Sequence, residues 1–286
     1  MSAPVAFVLA RMLAGESKRG LKSSIMHSIL VYHTISESHE ASPGDEMISP
    51  ERFEQQLRWL SRRRRVVPLV ETLHRKESER LVAITFDDGY RDNLTVALPI
   101  LEKYSLPITL FVVAGFVDRD GYLSEEELRE MSRHPLVTIG AHGLWHRHFN
   151  RLTPDEAHFE LVESRRVLED IVHKKVDLLA WPFGECDGAL ERLSAECGYR
   201  ASWSVWKGTN DSHSRWRVPL GRRDNLLLFI AKSSGGYALT EAKWHRFQER
   251  RVGTACGSGR SIARVERDSP TEINRPLPQA VLTRPD

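Results

Sequence analysis

The chain has 286 residues, and 41 Lys and Arg against 39 Asp and Glu leave a formal charge of +2. Hydrophobic residues at 41%, charged residues at 28% and only three cysteines argue against fibrous, fully disordered and cysteine-stapled classes. No run of eighteen apolar residues is present, so no membrane-spanning helix is expected, and the near-neutral balance gives no drive toward nucleic acid.

The charge is uneven. Residues 245–286 hold eight Arg and five acids, and from about Arg250 onward there are four Pro, three Gly and no aromatic residue. Such a stretch cannot bury enough apolar surface to offset its ordering entropy, so residues 246–286 are expected to form a basic, disordered tail. Residues 1–27 read as an N-terminal extension. Ala3 to Ala14 is mostly apolar but is interrupted by Arg11, and no Lys or Arg precedes it, so the basic start of a secretory signal is missing. A short peripheral helix and a cytoplasmic location are expected, with export or peripheral membrane attachment as the alternative.

Between these ends, residues 28–245 alternate short apolar runs with helical patterns. Ile29–Thr34 reads as a strand with His33 at its end. Ser49 caps a helix that begins at Pro50, carries Phe53, Leu57 and Leu60 at helical spacing and closes on Arg62–Arg65. Val66–Val70 reads as a short strand, and Leu81–Phe86 as a buried one running into Asp87-Asp88-Gly89. A helix over Asn93–Tyr104, a strand over Ile108–Ala114, a helix over Ser124–Ser132 and a strand over Leu136–Ala141 ending at His142 follow. Thr153-Pro154-Asp155-Glu156 is a capping box opening a helix to about His173. A strand over Asp177–Trp181 runs into Pro182-Phe183-Gly184, and Asp187 caps a helix to about Cys197. Strands at Tyr199–Val205 and Trp216–Leu220 and a helix from Leu226 complete the series. Strands alternating with helices imply parallel pairing, and seven or eight such units suit a closed or nearly closed β/α barrel. An open doubly wound sheet is the alternative, although no Gly-rich phosphate loop follows the first strand.

The polar residues collect in one place. His33, Asp87, Asp88, His142 and Pro182-Phe183 all follow the C-terminal ends of expected strands, and in a parallel barrel those ends share the face that carries the chemistry. Two adjacent carboxylates leaving a strand point to different sides, so one can bind a metal while the other acts as a base. His142 and His146 can face one metal if their segment is helical or tightly looped. Two imidazoles and one carboxylate would leave an open position, the catalytic rather than the structural pattern for zinc. His148 could replace one ligand, but it reads as solvent-exposed. Trp145, Trp181, Trp203 and Trp206 lie near the rim and can either stack on a sugar or pack.

Thr85-Phe86-Asp87-Asp88-Gly89, His142-x-x-x-His146 and Trp181-Pro182-Phe183-Gly184, in this order, resemble the motifs of the polysaccharide deacetylases, the NodB-homology carbohydrate esterases of family 4. The resemblance covers roughly residues 28–230, and Val31-Tyr32-His33 is similar to the branch that includes the poly-N-acetylglucosamine deacetylases. It implies a distorted (β/α) barrel of seven or so parallel strands and a metal-dependent N-deacetylase acting on N-acetylated glycans, either a polysaccharide or a lipid-linked oligosaccharide precursor. The roles it implies are Asp87 as general base, and Asp88, His142 and His146 as ligands of one divalent metal ion, zinc first among the transition metals. They further include His33 as general acid, the Phe183 backbone N–H as oxyanion donor and Arg217 as the group orienting Asp87. Trp181, Pro182 and Asn210 are implied at the substrate mouth. Two positions depart from the family pattern. Gly143 stands where a Ser or Thr often follows the first metal histidine, and Ala180 where an Arg usually precedes the Pro-aromatic pair. A small-molecule amide or formamide hydrolase and a non-catalytic carbohydrate-binding relative are the competing readings.

Overall fold

The computed structural model of the chain describes residues 27–37, 46–74, 79, 81–205 and 215–234. The expected tail and nearly all of the N-terminal extension, together with Asn210 and Trp206, lie outside the described residues.

Seven parallel strands close into a barrel: β1 (Ser28–Tyr32), β4 (Val82–Phe86), β5 (Ile108–Val112), β6 (Val137–Ala141), β7 (Leu178–Ala180), β8 (Ala201–Val205) and β9 (Arg215–Pro219). Leu30 of β1 pairs with Val218 of β9, which shuts the ring. The closed form of the barrel is therefore the one adopted, rather than the open sheet. Alternate side chains face opposite ways. Leu30, Tyr32, Ile84, Phe86, Leu110 and Val112 belong to the core beneath the outer helices. Ile29, Ala83, Phe111, Leu178, Ala180, Ala201 and Trp203 form a second, separate cluster that fills the barrel itself. Gly140 of β6 is what lets Phe111 lie flat inside, since a Cβ at that position would stand 2.5 Å from the Phe111 ring.

The helices are set by the signals that the sequence carries. In α1 (Pro50–Arg63) Ser49 Oγ accepts the Arg52 N–H at 3.4 Å, and Phe53, Leu57 and Leu60 are buried against the barrel. The rings of Tyr32, Phe53 and Phe86 meet there with centroids 5.0–5.8 Å apart, each contact adding about 0.5–1.5 kcal/mol beyond area burial. After α2 (Leu98–Tyr104), both α3 (Glu125–Arg133) and α4 (Pro154–Val172) open on complete capping boxes, Ser124 with Glu127 and Thr153 with Glu156. Asp187 caps α5 (Gly188–Glu196), and Asn225 caps α6 (Leu226–Lys232).

Three expectations are corrected. Val66–Val70 is not a strand: Val66 makes one isolated bridge to Val82, and Leu69–Leu73 is a 3₁₀ turn. Pro68 between them has no N–H to give a ladder. Leu69 instead packs on the barrel's inner cluster, beside the half-buried Val70 and Leu73. Asn93–Tyr104 is not one regular helix but a π turn at Asn93–Ala97 leading into α2. Pro99 cannot donate to the carbonyl four residues back, and the ladder widens just before it. Finally, the first strand breaks at His33, whose carbonyl accepts Asn93 Nδ2 at 2.8 Å instead of a strand partner. Beyond the break, β2 (Thr34–Ile35) and β3 (Met47–Ile48) form a small parallel pair of their own.

Candidate active site

All barrel strands run one way, so the segments that follow β1, β4, β6 and β7 deliver His33, Asp87, Asp88, His142, His146 and Phe183 to one rim. Asp87 continues the inward-facing series Ala83, Thr85 and is buried. Arg217 of β9, wholly buried, meets it as a two-pronged pair: Nη1 donates to Oδ1 at 2.6 Å and Nη2 to Oδ2 at 2.7 Å. Nη1 also lies 3.3 Å from Thr85 Oγ1, and the guanidinium sits over the Phe111 ring at 5.2 Å. Burial pushes the Asp87 carboxyl up, but the charges of Arg217, His142 and His33 outweigh it and hold the group below the usual carboxylate range.

Asp88 turns the other way. Its φ of 73° is left-handed, and Gly89 follows at 86° with Val112 Cγ1 3.1 Å from where a Cβ would stand. Asp88 Oδ1 therefore faces the histidines, 3.6 Å from His142 Nε2 and 3.5 Å from His146 Nε2. The His142–His146 segment is a loop, not a helix, with left-handed Gly143 (φ 77°) and His146 (φ 54°). His142 Nδ1 lies 2.8 Å from the Ala180 carbonyl. A carbonyl only accepts, so the proton sits on Nδ1 and the Nε2 lone pair is directed to the rim. Burial lowers both imidazoles to about 4, so both are neutral at pH 7, the form that binds metal.

One donor atom each from Asp88, His142 and His146 lies within 4.8 Å of the others. Asp88 Oδ1 is buried with no hydrogen-bond partner. A buried acceptor left unpaired between two neutral imidazoles is costly unless a cation completes it, so this set fits a divalent ion. One carboxylate with two imidazoles also leaves ligand positions open, which suits a catalytic zinc site.

Glu160 of α4 is a site residue that the sequence reading missed. It is buried, and its Oε2 accepts the N–H groups of Leu144 at 2.8 Å and Trp145 at 3.0 Å, tying down the loop between the two histidines. Gly143 offers no hydroxyl for that task, and a Cβ there would lie 3.6 Å from the same Oε2. The available signal was an acid on the buried face of α4, alongside Ala157, Leu161 and Ser164. Glu46 was likewise missed; its Oε2 stands 3.7 Å from His33 Nε2.

The remaining expected residues divide. Phe183 is half exposed on the rim, whereas Pro182 packs 3.4 Å from the Cβ position of Gly143. Trp181 is corrected: it is fully buried, its Nε1 donates to Ser202 Oγ at 2.9 Å and its ring meets Phe149 edge-on, so it offers no face to a sugar. Trp203 is buried inside the barrel, while Trp145 is partly exposed beneath Arg119. His148 is no fourth member of the Asp88–His142–His146 set; its Nδ1 lies 3.1 Å from Glu185 Oε2.

A closed parallel barrel thus gathers ionisable groups from three strand ends on its C-terminal rim, the face on which such barrels carry their chemistry. Residues 74–202 match the polysaccharide deacetylase family model. The chain is 30% identical over 179 residues to YxkH of Bacillus subtilis (strain 168), described only provisionally as a polysaccharide deacetylase, covering 60% of this chain and 62% of that protein. It is also 30% identical over 155 residues to the poly-beta-1,6-N-acetyl-D-glucosamine N-deacetylase of Staphylococcus aureus, covering 48% of this chain and 53% of that enzyme. The chain thus spans less than two thirds of either relative. The fold is shared with the Streptococcus pyogenes deacetylase PplD, solved in complex with acetate, at a TM-score of 0.65 and 22% identity over 72% of this chain and 97% of that one.

Proposed function

We propose that this protein is a metal-dependent N-deacetylase that removes acetyl groups from N-acetylhexosamine units of a polysaccharide or of a lipid-linked oligosaccharide precursor. The observation that carries the reading is the pairing of an unsatisfied Asp88–His142–His146 set with an Arg217-held Asp87, 3.7 Å from His142 Nε2 on the same rim. A divalent ion held by the three ligands, zinc by the character of the donors, supplies Lewis acidity toward the acetamide carbonyl and toward a water.

The chain's own residues do the rest. Asp87 stays ionised beside Arg217 and accepts the proton of the attacking water, while the guanidinium fixes the direction of its carboxylate. The Phe183 N–H donates to the oxygen that gains charge. His33, whose Nε2 stands 3.7 Å from Glu46 Oε2, protonates the departing amine. Acetate and a free amino sugar result.

The test is acetate release from N-acetylglucosamine oligomers of several lengths, with and without chelator. Release that stops with chelator and returns with zinc is expected. Release from no oligomer, with turnover of small amides instead, would replace the glycan reading. Asp88→Ala and His142→Ala are expected to purify without metal, and an unchanged metal content by elemental analysis would overturn the ligand assignment.

A further inference from the structure

Phe183 is held in a conformation that its own chemistry resists. It has φ 58° and ψ 7°, left-handed values that a large aromatic residue rarely adopts. Strain of this kind persists only where neighbours over-determine the backbone, and it gathers at functional sites. The neighbours here are identifiable. Gly184 is pinned to β8, since a Cβ on it would stand 2.5 Å from Val205. The Phe183 ring lies flat on the ring of His148, with centroids 3.7 Å apart and an angle of 11° between the planes. His148 is fixed in turn by Glu185, whose Oε2 is 3.1 Å from Nδ1. The chain thus brings the two residues on either side of Gly184 and one residue from the histidine loop into a single clamp.

The clamp presents an apolar surface at the rim. Phe183 remains 51% exposed, while Pro182 and Gly184 on either side are buried. The other large exposed hydrophobic residues among those described, Phe159 and Leu227, lie on helices α4 and α6. The Phe183 ring centroid stands 4.5 Å from that of His146. Folding alone gives no reason to hold a strained Phe183 backbone with its ring in water beside the metal-ligand candidate His146. A sugar does, because pyranose rings carry apolar C–H faces that pack on aromatic rings, and aromatic walls line such pockets.

Resting on the function proposed above, we infer that His148 and Glu185 are positioning residues that hold the Phe183 ring as the wall on which the acetamido sugar packs during turnover. His148 then acts through its flat face rather than as a metal ligand.

A double-mutant cycle on acetate release from N-acetylglucosamine oligomers by the zinc-loaded protein tests this. Phe183→Ala is expected to raise KM about three- to tenfold, the size of one aromatic contact. His148→Ala raises it in the same direction by less, Glu185→Gln by less again, and His148→Phe, which keeps a flat ring, restores the wild-type KM. In the Phe183→Ala background His148→Ala adds nothing, a non-additivity that a merely structural role would not produce. Metal content and circular dichroism stay unchanged throughout. Additive effects, an unchanged KM in His148→Ala, or metal loss in that variant would each overturn the inference. Wild-type protein that neither binds the oligomers by calorimetry nor releases acetate would fail the functional reading instead, and this inference with it.

Discussion

Asp87 and Asp88 are neighbours in the chain and opposites in their surroundings. Asp87 is sealed inside the barrel with both oxygens taken by Arg217. Asp88, one left-handed residue later, has an oxygen with no partner between two neutral imidazoles. On the inner side the protein satisfies its own charges; on the outer side it leaves a donor set incomplete. Under the proposed function, the difference separates a carboxylate held ready to act as base from a donor set that a cation would complete. A single turn at Asp88-Gly89 separates the two roles.

That contrast can be broken from either side. The largest effect is expected from Asp87→Asn, which keeps bound metal but loses the proton acceptor, so kcat falls by about 10²–10⁴-fold. Full turnover in that variant would remove Asp87 from the chemistry. Next comes Arg217→Met, which strands a buried carboxylate and should lower unfolding free energy by about 3–5 kcal/mol in denaturant titrations. A loss as small as the ~1 kcal/mol of an exposed pair would mean that water already reaches Asp87. Glu160→Gln sharpens the outer side. It weakens the grip on the loop between the histidines, and metal affinity by competition with a chromophoric chelator should drop about 10–100-fold, the cost of losing a supporting partner behind a metal ligand. Unaltered affinity would reduce Glu160 to a packing residue.

The smallest effect is acid sensitivity of the metal-free protein. Burial lowers His142 and His146 to about 4, below their value of about 6.5 in an unfolded chain. Between those values the unfolded state binds more protons, so stability is full above about pH 6.5 and falls as the pH drops toward 4. The lowered Asp87 carboxyl acts with the same sign, at pH values below the ordinary carboxylate range. Melting temperature against pH should show the first loss near pH 6, and His142→Gln should flatten it. A midpoint insensitive to pH over this window would mean that the imidazoles are not buried neutral.

Sequence patterns disclosed the barrel and the rim because both rest on local signals. Strand ends, capping residues at Ser49, Thr153 and Asp187, and the Asp87-Asp88-Gly89 and His142-to-His146 spacings can all be read within a few residues. What escaped is long-range or depends on a subtle break. Glu160 reaches back 16 residues to the Leu144 N–H, which no local pattern announces. The split at His33 depends on a side-chain amide 60 residues away. Trp181 looked available because it adjoins a motif, yet period-2 alternation in so short a strand as β7 gave no sign of its complete burial. The resemblance to a known family supplied the pairing of Arg217 with Asp87; spacing alone did not, because 130 residues lie between them.

Gly140 lies off the rim, yet the aim of Asp87 depends on its having no side chain. Its bareness makes room for Phe111, Phe111 underlies Arg217, and Arg217 aims Asp87. A single added methyl group at this position would therefore propagate upward through Phe111 and Arg217 and reach Asp87 as a change of aim. Variation in this protein should be tolerated more readily on the solvent side of the motif residues than at this interior floor, where the smallest possible enlargement is the most disruptive.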